Sequence, residues 1–257
     1  MIAPNKPDKF TVKVKRQDTP EAAPYWETFE LDYKPNMNVI SVLQAIAANP
    51  VTVEGKKTTP IAYLAACLEE VCGSCTALMN GHVAQMCSQL IDDYLGEDNT
   101  LVIEPMTKFP VVRDLVIDRS RLFDDLKAIK GWVPIDGTYS LGPGPEEDPD
   151  TAERRYALSR CMSCGCCLEV CPQYTQDNTF VGAAVISQVE YFNTHPTGAV
   201  LADERLDAME GPGGITDCGN AQNCVRVCPK EIPLTESIGR IGRRTTVHSI
   251  KKFFTGK

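Results

Sequence analysis

The chain has 257 residues, of which 43% are hydrophobic, enough for two domains of ordinary size, each with its own core. A formal net charge of −8 argues against nucleic acid as a partner, because binding phosphates requires a basic face. The opening residues MIAPNKPDKF hold no apolar signal core, and no apolar run reaches the roughly 18 residues that span a bilayer. The expectation is a chain that is itself soluble and not exported.

Phe10 to Lys15 (FTVKVK) and Trp26 to Tyr33 (WETFELDY) alternate apolar and polar residues and are rich in β-branched and aromatic types, which predicts two half-buried strands. QDTPEAAP between them is turn material. Asn38 then caps a helix over VISVLQAIAANP, with Val39, Leu43, Ile46 and Ala47 on its apolar side, and Pro50 ends it. A hairpin followed by a helix is the expected opening of a β-grasp ferredoxin domain.

Next comes Cys67-x4-Cys72-x2-Cys75, with Cys87 eleven residues beyond, the plant-type pattern for a [2Fe–2S] cluster. A loop of this length can wrap a cluster and aim backbone N–H groups at its sulfurs, and Gly73 lacks the Cβ that would obstruct the approach. Asn80-Gly81, between TALM and HVAQMC, is a type I′ hairpin signal that brings Cys87 back to the loop. LVIE at 101–104 is expected to close the sheet. Residues 111–132 (VVRDLVIDRSRLFDDLKAIKGW) are amphipathic at helical period and are expected to begin the second domain. The Gly-, Pro- and acid-rich segment 133–150 is expected to be an ordered loop, because it contains Ile135, Tyr139 and Leu141.

In the second half, TAERRYALSR leads by a short helix into Cys161-x2-Cys164-x2-Cys167-x3-Cys171-Pro172, the bacterial-type run in which the fourth Cys serves a second cluster. Helical stretches around GAAVISQVEYFNTHP and ADERLDAMEG follow. A second run, Cys218-x5-Cys224-x3-Cys228-Pro229, aligns with the first but has Ala221 where a cysteine should stand. Exchange of the fourth ligands gives Cys161, Cys164, Cys167 and Cys228 to a [4Fe–4S] cluster. Cys171, Cys218 and Cys224 are left as three thiolates, a set suited to [3Fe–4S]. Cys166 remains over and is read as a small buried hydrophobe.

Disulfides and zinc are the alternatives for twelve cysteines. The clustering into knots without a signal peptide opposes the first, and the x2-x2-x3-Cys-Pro continuation opposes the second. The three histidines, His82, His195 and His248, are read as surface or capping residues rather than ligands.

These motifs together resemble the iron–sulfur subunits of succinate dehydrogenase and fumarate reductase over essentially the whole chain. CLEEVCGSC, FPVVRDLVIDRSR, VPIDGTY and DCGNAQNCV are similar to the form found in menaquinone-using bacteria. The resemblance implies an α+β chain: a β-grasp [2Fe–2S] domain over residues 1–119, then an all-α two-cluster ferredoxin domain over 120–257. It implies electron transfer from a flavoprotein subunit with covalent FAD, through the three clusters, to a quinone held by a membrane anchor, a cytochrome b subunit with haem b. It places the chain peripherally on the cytoplasmic side of the bacterial plasma membrane. A fumarate reductase subunit running the reverse direction is the alternative. A related subunit of a soluble, thiol-dependent fumarate reductase would need further Cys-rich modules, which are absent here. The ubiquinone-using members carry a His and a Trp at positions that are Gly219 and Gln176 here, so only Pro172 carries over as a quinone-proximal residue. From residue 237 on the sequence has six cations and no acid, together with Phe253 and Phe254. This tail is expected to meet the anchor subunit or anionic lipid headgroups.

Overall fold

A computed structural model describes residues 7–134 and 146–256; Ile135, Tyr139 and Leu141 of the expected ordered loop lie outside the described residues. The chain divides into two compact units, Met1–Asp118 and Arg119–Lys257.

In the first unit, β1 (Lys9–Arg16) and β2 (Tyr25–Asp32) pair antiparallel, with Phe10, Val12, Val14 and Phe29 turned into the core. The alternation in the sequence dictates this, since successive side chains on a strand face opposite sides. Helix α1 (Val39–Ala48) begins where Asn38 Oδ1 accepts the Ser41 N–H at 2.8 Å, and buries Val39, Ile40, Val42, Leu43 and Ile46. The same Asn38 donates through Nδ2 to the Cys87 carbonyl at 3.0 Å, so the helix cap also anchors a predicted ligand. β3 (Thr76–Met79) and β4 (His82–Gln85) form the expected hairpin, with φ of 47° at Asn80 and 79° at Gly81, as a type I′ turn requires.

Two expectations are corrected here. The strand expected to close the sheet, β5 (Thr100–Glu104), lies at its centre, in the order β2-β1-β5-β3-β4. It runs parallel to β1 and antiparallel to β3, and Leu101 and Ile103 are fully buried there. Residues 111–132 are not helical throughout. β6 (Val111–Arg113) and β7 (Val116–Ile117) form a small hairpin, and the helix α2 covers only Ser120–Ala128. The Val and Ile side chains prefer the extended backbone, and Asp114 at the bend has φ 47°.

Asp114 is held there by a buried ion pair. Its carboxylate accepts from Arg16 Nε at 2.8 Å and Nη2 at 3.1 Å, from the Gln17 N–H at 3.2 Å and from the Ala62 N–H at 2.8 Å. Arg16 Nη1 donates to Glu27 Oε2 at 2.6 Å, and Arg16 and Asp114 are completely buried. One guanidinium thus links β1, β2, the β6–β7 bend and the segment leading into the Cys67 loop.

The second unit is helical. α5 (Gly182–Thr194) is its core, burying Val185, Ile186 and Val189 among others, with α3 (Pro149–Ser159), α4 (Cys166–Glu169), α6 (Ala202–Glu210) and α8 (Leu234–Thr255) packed against it; α7 (Asn223–Arg226) packs on α4 and α8. Arg205 of α6 is fully buried and satisfied by neutral acceptors: Lys130 and Trp132 carbonyls, Asn193 Oδ1 and the Gly198 carbonyl, at 2.7–3.0 Å. α6 is also tied to α8 by Asp207, which accepts from Lys252 Nζ at 2.6 Å and pairs with His248 Nε2 at 2.8 Å.

Removing one partner from a buried, fully bonded ion group leaves an uncompensated charge, at a cost of about 3–5 kcal/mol. Asp114→Ala is expected to lose stability on that scale, read as a lower urea midpoint for the first unit with an unchanged slope.

Candidate metal centres

The first centre is built by the loop from Cys67 to Cys75. Leu68 (φ 59°), Glu70 (φ 55°) and Gly73 (φ 69°) are left-handed, and residues between them are not, so successive N–H groups turn to one side. Such alternation forms an anion-binding concavity of backbone N–H groups. Its occupants are sulfurs: Glu69, Val71 and Cys72 N–H groups donate to Cys67 Sγ at 3.3–3.4 Å, Glu70 N–H to Cys87 Sγ at 3.3 Å, and Ser74 N–H to Cys72 Sγ at 3.5 Å. A left-handed Leu or Glu costs roughly 1–2 kcal/mol; the sulfur contacts offset it.

The thiols of this loop are driven apart in acidity. Hydrogen bonds from the Ser74 hydroxyl and backbone hold Cys72 down at about 6, whereas burial pushes Cys75 up to about 12. A ligand thiol must ionise to bind metal. The dry Cys75 site therefore calls for a cationic centre beside it. Four cysteines converging on N–H donors, one of them in need of positive charge, fit an iron–sulfur group.

The second unit repeats one loop design twice. Ser163 (φ 52°) and Gly165 (φ 90°) in the first run correspond to Asn220 (φ 52°) and Gln222 (φ 59°) in the second, and the short helices α4 and α7 begin at matching positions. Ala221 thus occupies the backbone position that Cys164 holds in the first run. Cys161, Cys164, Cys167 and Cys228 line one cavity, which is closed by Ala184, Ile232 and Leu234. Cys171, Cys218 and Cys224 line another, with Ala221 beside them. Each run therefore contributes its fourth cysteine to the cavity of the other.

The two cavities differ in exposure. Cys161 and Cys228 of the first and Cys171 and Cys218 of the second are alike half-buried, and Cys164, Cys167 and Cys224 are buried. The difference lies in the neighbours, since Cys166 in the first wall is buried while Pro172, Gly219, Asn220, Ala221 and Gln222 around the other cavity are exposed. Burial raises the Cys161 and Cys224 thiols and raises Cys167 well above the ordinary value, helped in each case by neighbouring thiolates. Cys164 goes the other way, to about 7, mainly because the Cys166 side chain hydrogen-bonds its sulfur. Cys166 is fully buried, as a small hydrophobe would be, but it is also a sulfur donor in the wall of the first cavity.

Several supporting residues carry no sequence motif. Arg119 Nη1 donates to the Ser163 and Cys164 carbonyls at 3.1 and 3.4 Å, bracing the first run from outside. Arg121 donates to the Thr175 and Phe180 carbonyls at 2.5 and 3.0 Å and lies 4.4 Å over the Tyr174 ring. Asn223 Nδ2 reaches the Val170 carbonyl at 3.2 Å and so joins the two runs. The only available signal for the arginines was the RSR triplet, which reads equally well as a solvated helix face. None of the histidines lines the cysteine cavities: His82 is exposed, His195 Nδ1 accepts the Thr197 and Gly198 N–H groups, and His248 belongs to the α6–α8 contact.

Comparison with known proteins agrees with this construction. A family profile described as a 2Fe-2S iron-sulfur cluster binding domain matches residues 11–124, and one described as a 4Fe-4S dicluster domain matches residues 157–232. The chain is 52% identical to the succinate dehydrogenase iron-sulfur subunit of Bacillus subtilis over 94% of both chains. It is 25% identical to the fumarate reductase iron-sulfur subunit of Wolinella succinogenes, covering 91% of this chain and 96% of that one. Among solved structures, a chain of the Mycobacterium smegmatis Sdh1 complex in the apo form superposes with a TM-score of 0.74 at 25% identity, covering 92% of this chain and 95% of that one.

Ser74 offers a direct test of the first centre. A hydrogen bond to a ligand sulfur favours the reduced, more negative state, and one neutral bond is worth about 1 kcal/mol, or about 40 mV for one electron. Ser74→Ala is expected to lower the [2Fe–2S] midpoint potential by about that amount in an EPR-monitored titration. An unchanged potential would place Cys72 outside the ligand set.

Proposed function

Because the chain belongs to the family of succinate dehydrogenase iron–sulfur subunits, we propose that it is the electron-carrying subunit of a succinate dehydrogenase that delivers electrons to a membrane quinone. The observation that carries this reading is the presence, in one chain, of a wrapped Cys67–Cys87 loop and two crossed cysteine sets that differ by one ligand. Cys67, Cys72, Cys75 and Cys87 would hold [2Fe–2S]; Cys161, Cys164, Cys167 and Cys228 would hold [4Fe–4S]; Cys171, Cys218 and Cys224 would hold [3Fe–4S]. Residues 1–119 would then form the first electron-carrying domain and 120–257 the second. When bound, these groups supply reversible one-electron chemistry at iron.

The protein's own part is to hold the sulfurs and set their surroundings. Backbone N–H groups from Glu69 to Ser74 stabilise the negative charge that an added electron places on the Cys67, Cys72 and Cys87 sulfurs. The Cys166 thiol does the same for Cys164, while the apolar wall of that cavity excludes water. Leu64, Leu68 and Val71 form an exposed apolar rim around the first loop, each 46–58% accessible, which supports docking of the FAD-containing flavoprotein subunit at this end. The exposed surroundings of Cys171, Cys218 and Cys224 support an exit toward quinone beside Pro172.

Menaquinone is the quinone this reading favours. A Cβ at Gly219 would stand 2.6 Å from Gln173 Nε2, so the Gln173 side chain occupies the space a larger residue at 219 would take. That differs from the His and Trp arrangement implied for ubiquinone-using relatives. No helix among the described residues is long and apolar enough to cross a membrane; the family likeness implies a peripheral subunit held at the cytoplasmic face by a separate anchor carrying haem b. Succinate oxidation is preferred to fumarate reduction because the identity to the succinate dehydrogenase relative is twice that to the fumarate reductase one.

Iron and acid-labile sulfide analysis tests the assignment: the loaded chain should hold about nine irons, divided two, four and three. A preparation rich in zinc and free of sulfide would overturn it. Ala221→Cys supplies the missing thiolate and is expected to convert the three-iron centre toward a four-iron one, seen as loss of its EPR signal in the oxidised state. Persistence of that signal would count against Ala221 lining the vacant corner.

A further inference from the structure

Helix α8 has one packed face and one that no described residue covers. Ile241 and Thr245 are buried, and His248 and Lys252 on the same side are paired to α6. On the opposite side Arg243, Val247, Ile250 and Phe254 follow one another at spacings of four, three and four residues, which aligns them in a single stripe. Val247 and Ile250 are 45% and 53% exposed, and at the end of the helix Phe253 and Phe254 reach 83% and 79%, touching chiefly each other. Four large apolar side chains on one short stretch of a water-facing helix are not explained by the fold.

The charges at the head of the stripe and beside it are equally uncompensated. Arg240 and Lys252 pair with Glu190, Glu236, Asp207 and Glu210, but Arg243, Arg244 and Lys251 make no ion pair among the described residues. A groove of about 1110 Å³ runs along this flank; Arg154, Arg243, Arg244 and Lys251 line it with Asp203, while its Glu190 is engaged by Arg240 and its Asp207 by His248 and Lys252. These cations sit in a chain whose net charge is −8.

We propose that the last three turns of α8 are a membrane-contact surface that seats on anionic phospholipid headgroups, with Arg243, Arg244 and Lys251 meeting the phosphates and Val247, Ile250, Phe253 and Phe254 entering the headgroup–acyl boundary. The chemistry fits a lipid surface better than a protein groove: an apolar stripe flanked by free cations and ending in paired aromatics is the composition of an interfacial helix. The remainder of the chain is acidic and is repelled by an anionic bilayer, so attraction confined to α8 also sets which way the molecule faces. The inference stands on α8 alone and is independent of the cluster assignment.

The test uses the full chain, loaded with iron, and vesicles of phosphatidylcholine with or without phosphatidylglycerol. Co-sedimentation is expected with the phosphatidylglycerol vesicles, to be weakened by salt, and not to be displaced by inorganic phosphate at matched ionic strength. Each surface cation contributes roughly fivefold to such binding, so Arg243→Gln/Arg244→Gln/Lys251→Gln should weaken it about a hundredfold. Phe253→Ser/Phe254→Ser should weaken binding without removing its salt dependence. All five positions are solvent-facing or half-exposed, and an unchanged iron content will show that the variants are folded. Equal binding to neutral and anionic vesicles, displacement by inorganic phosphate, or variants that bind vesicles normally but lose a membrane anchor subunit would each overturn the proposal.

Discussion

A thiolate sulfur held inside a protein needs hydrogen-bond donors, and the nearest ones available are its own backbone N–H groups. That requirement governs the Cys67 loop and the two runs of the helical unit. Helix and sheet both consume N–H groups internally, so a loop that offers them to sulfur must leave regular structure. It does so by placing residues in the left-handed region, at Leu68, Glu70 and Gly73, at Ser163 and Gly165, and at Asn220 and Gln222. Only two of these seven are glycine. The rest of each unit supplies what such a strained loop cannot supply for itself, a rigid surrounding that holds it in that shape.

The two units meet this demand differently. In the first, Asn38 caps α1 and grips the Cys87 carbonyl, while Arg16 and Asp114 fix the approach to Cys67 through the Ala62 N–H. The supports are strand-borne and distant in sequence. In the second, the runs support each other: Cys171 and Cys228 cross between cavities, Asn223 bonds Val170, and α5 buries its length behind both. Removal of either fourth cysteine in this unit thus opens the wall of the other cavity, whereas the first unit's loop is supported by its sheet, the α1 cap and the β6–β7 bend.

The ligand spacings, the Asn80-Gly81 turn, the Asn38 cap and the alternation of the first two strands were legible because each is a local rule: a fixed number of residues, or one backbone conformation. The misread parts are those decided at long range. The central place of β5 depends on β1, some ninety residues away, and nothing within TLVIE distinguishes a middle strand from an edge. The helical period of residues 111–132 was real in pattern, but burial of Asp114 on Arg16 bent its first part into a hairpin. Arg119 and Cys166 were invisible as supports because a cation and a spare cysteine announce no partner. Ala221 was informative for the opposite reason, since an absence stands out against a repeated template, and the matching left-handed residues on either side of it show that the template's backbone is kept although the thiol is gone.

Keeping the backbone while dropping one sulfur has a physical consequence for the order of the centres. A complete thiolate set in the first cavity would carry its charge beside Ala184, Ile232 and Leu234, where the electrostatic cost of an added electron is raised. The set beside Ala221 has one thiolate fewer and lies among exposed residues, where water would share the charge. If the two sets hold the proposed clusters, both differences would make the second site the easier one to reduce. On the proposed assignment of clusters, electrons entering the first site would have a downhill neighbour, and that neighbour is the one with the more exposed surroundings. Under that assignment the substitution at 221 and the exposure around it would act in the same direction, giving the transfer its sense without any moving part.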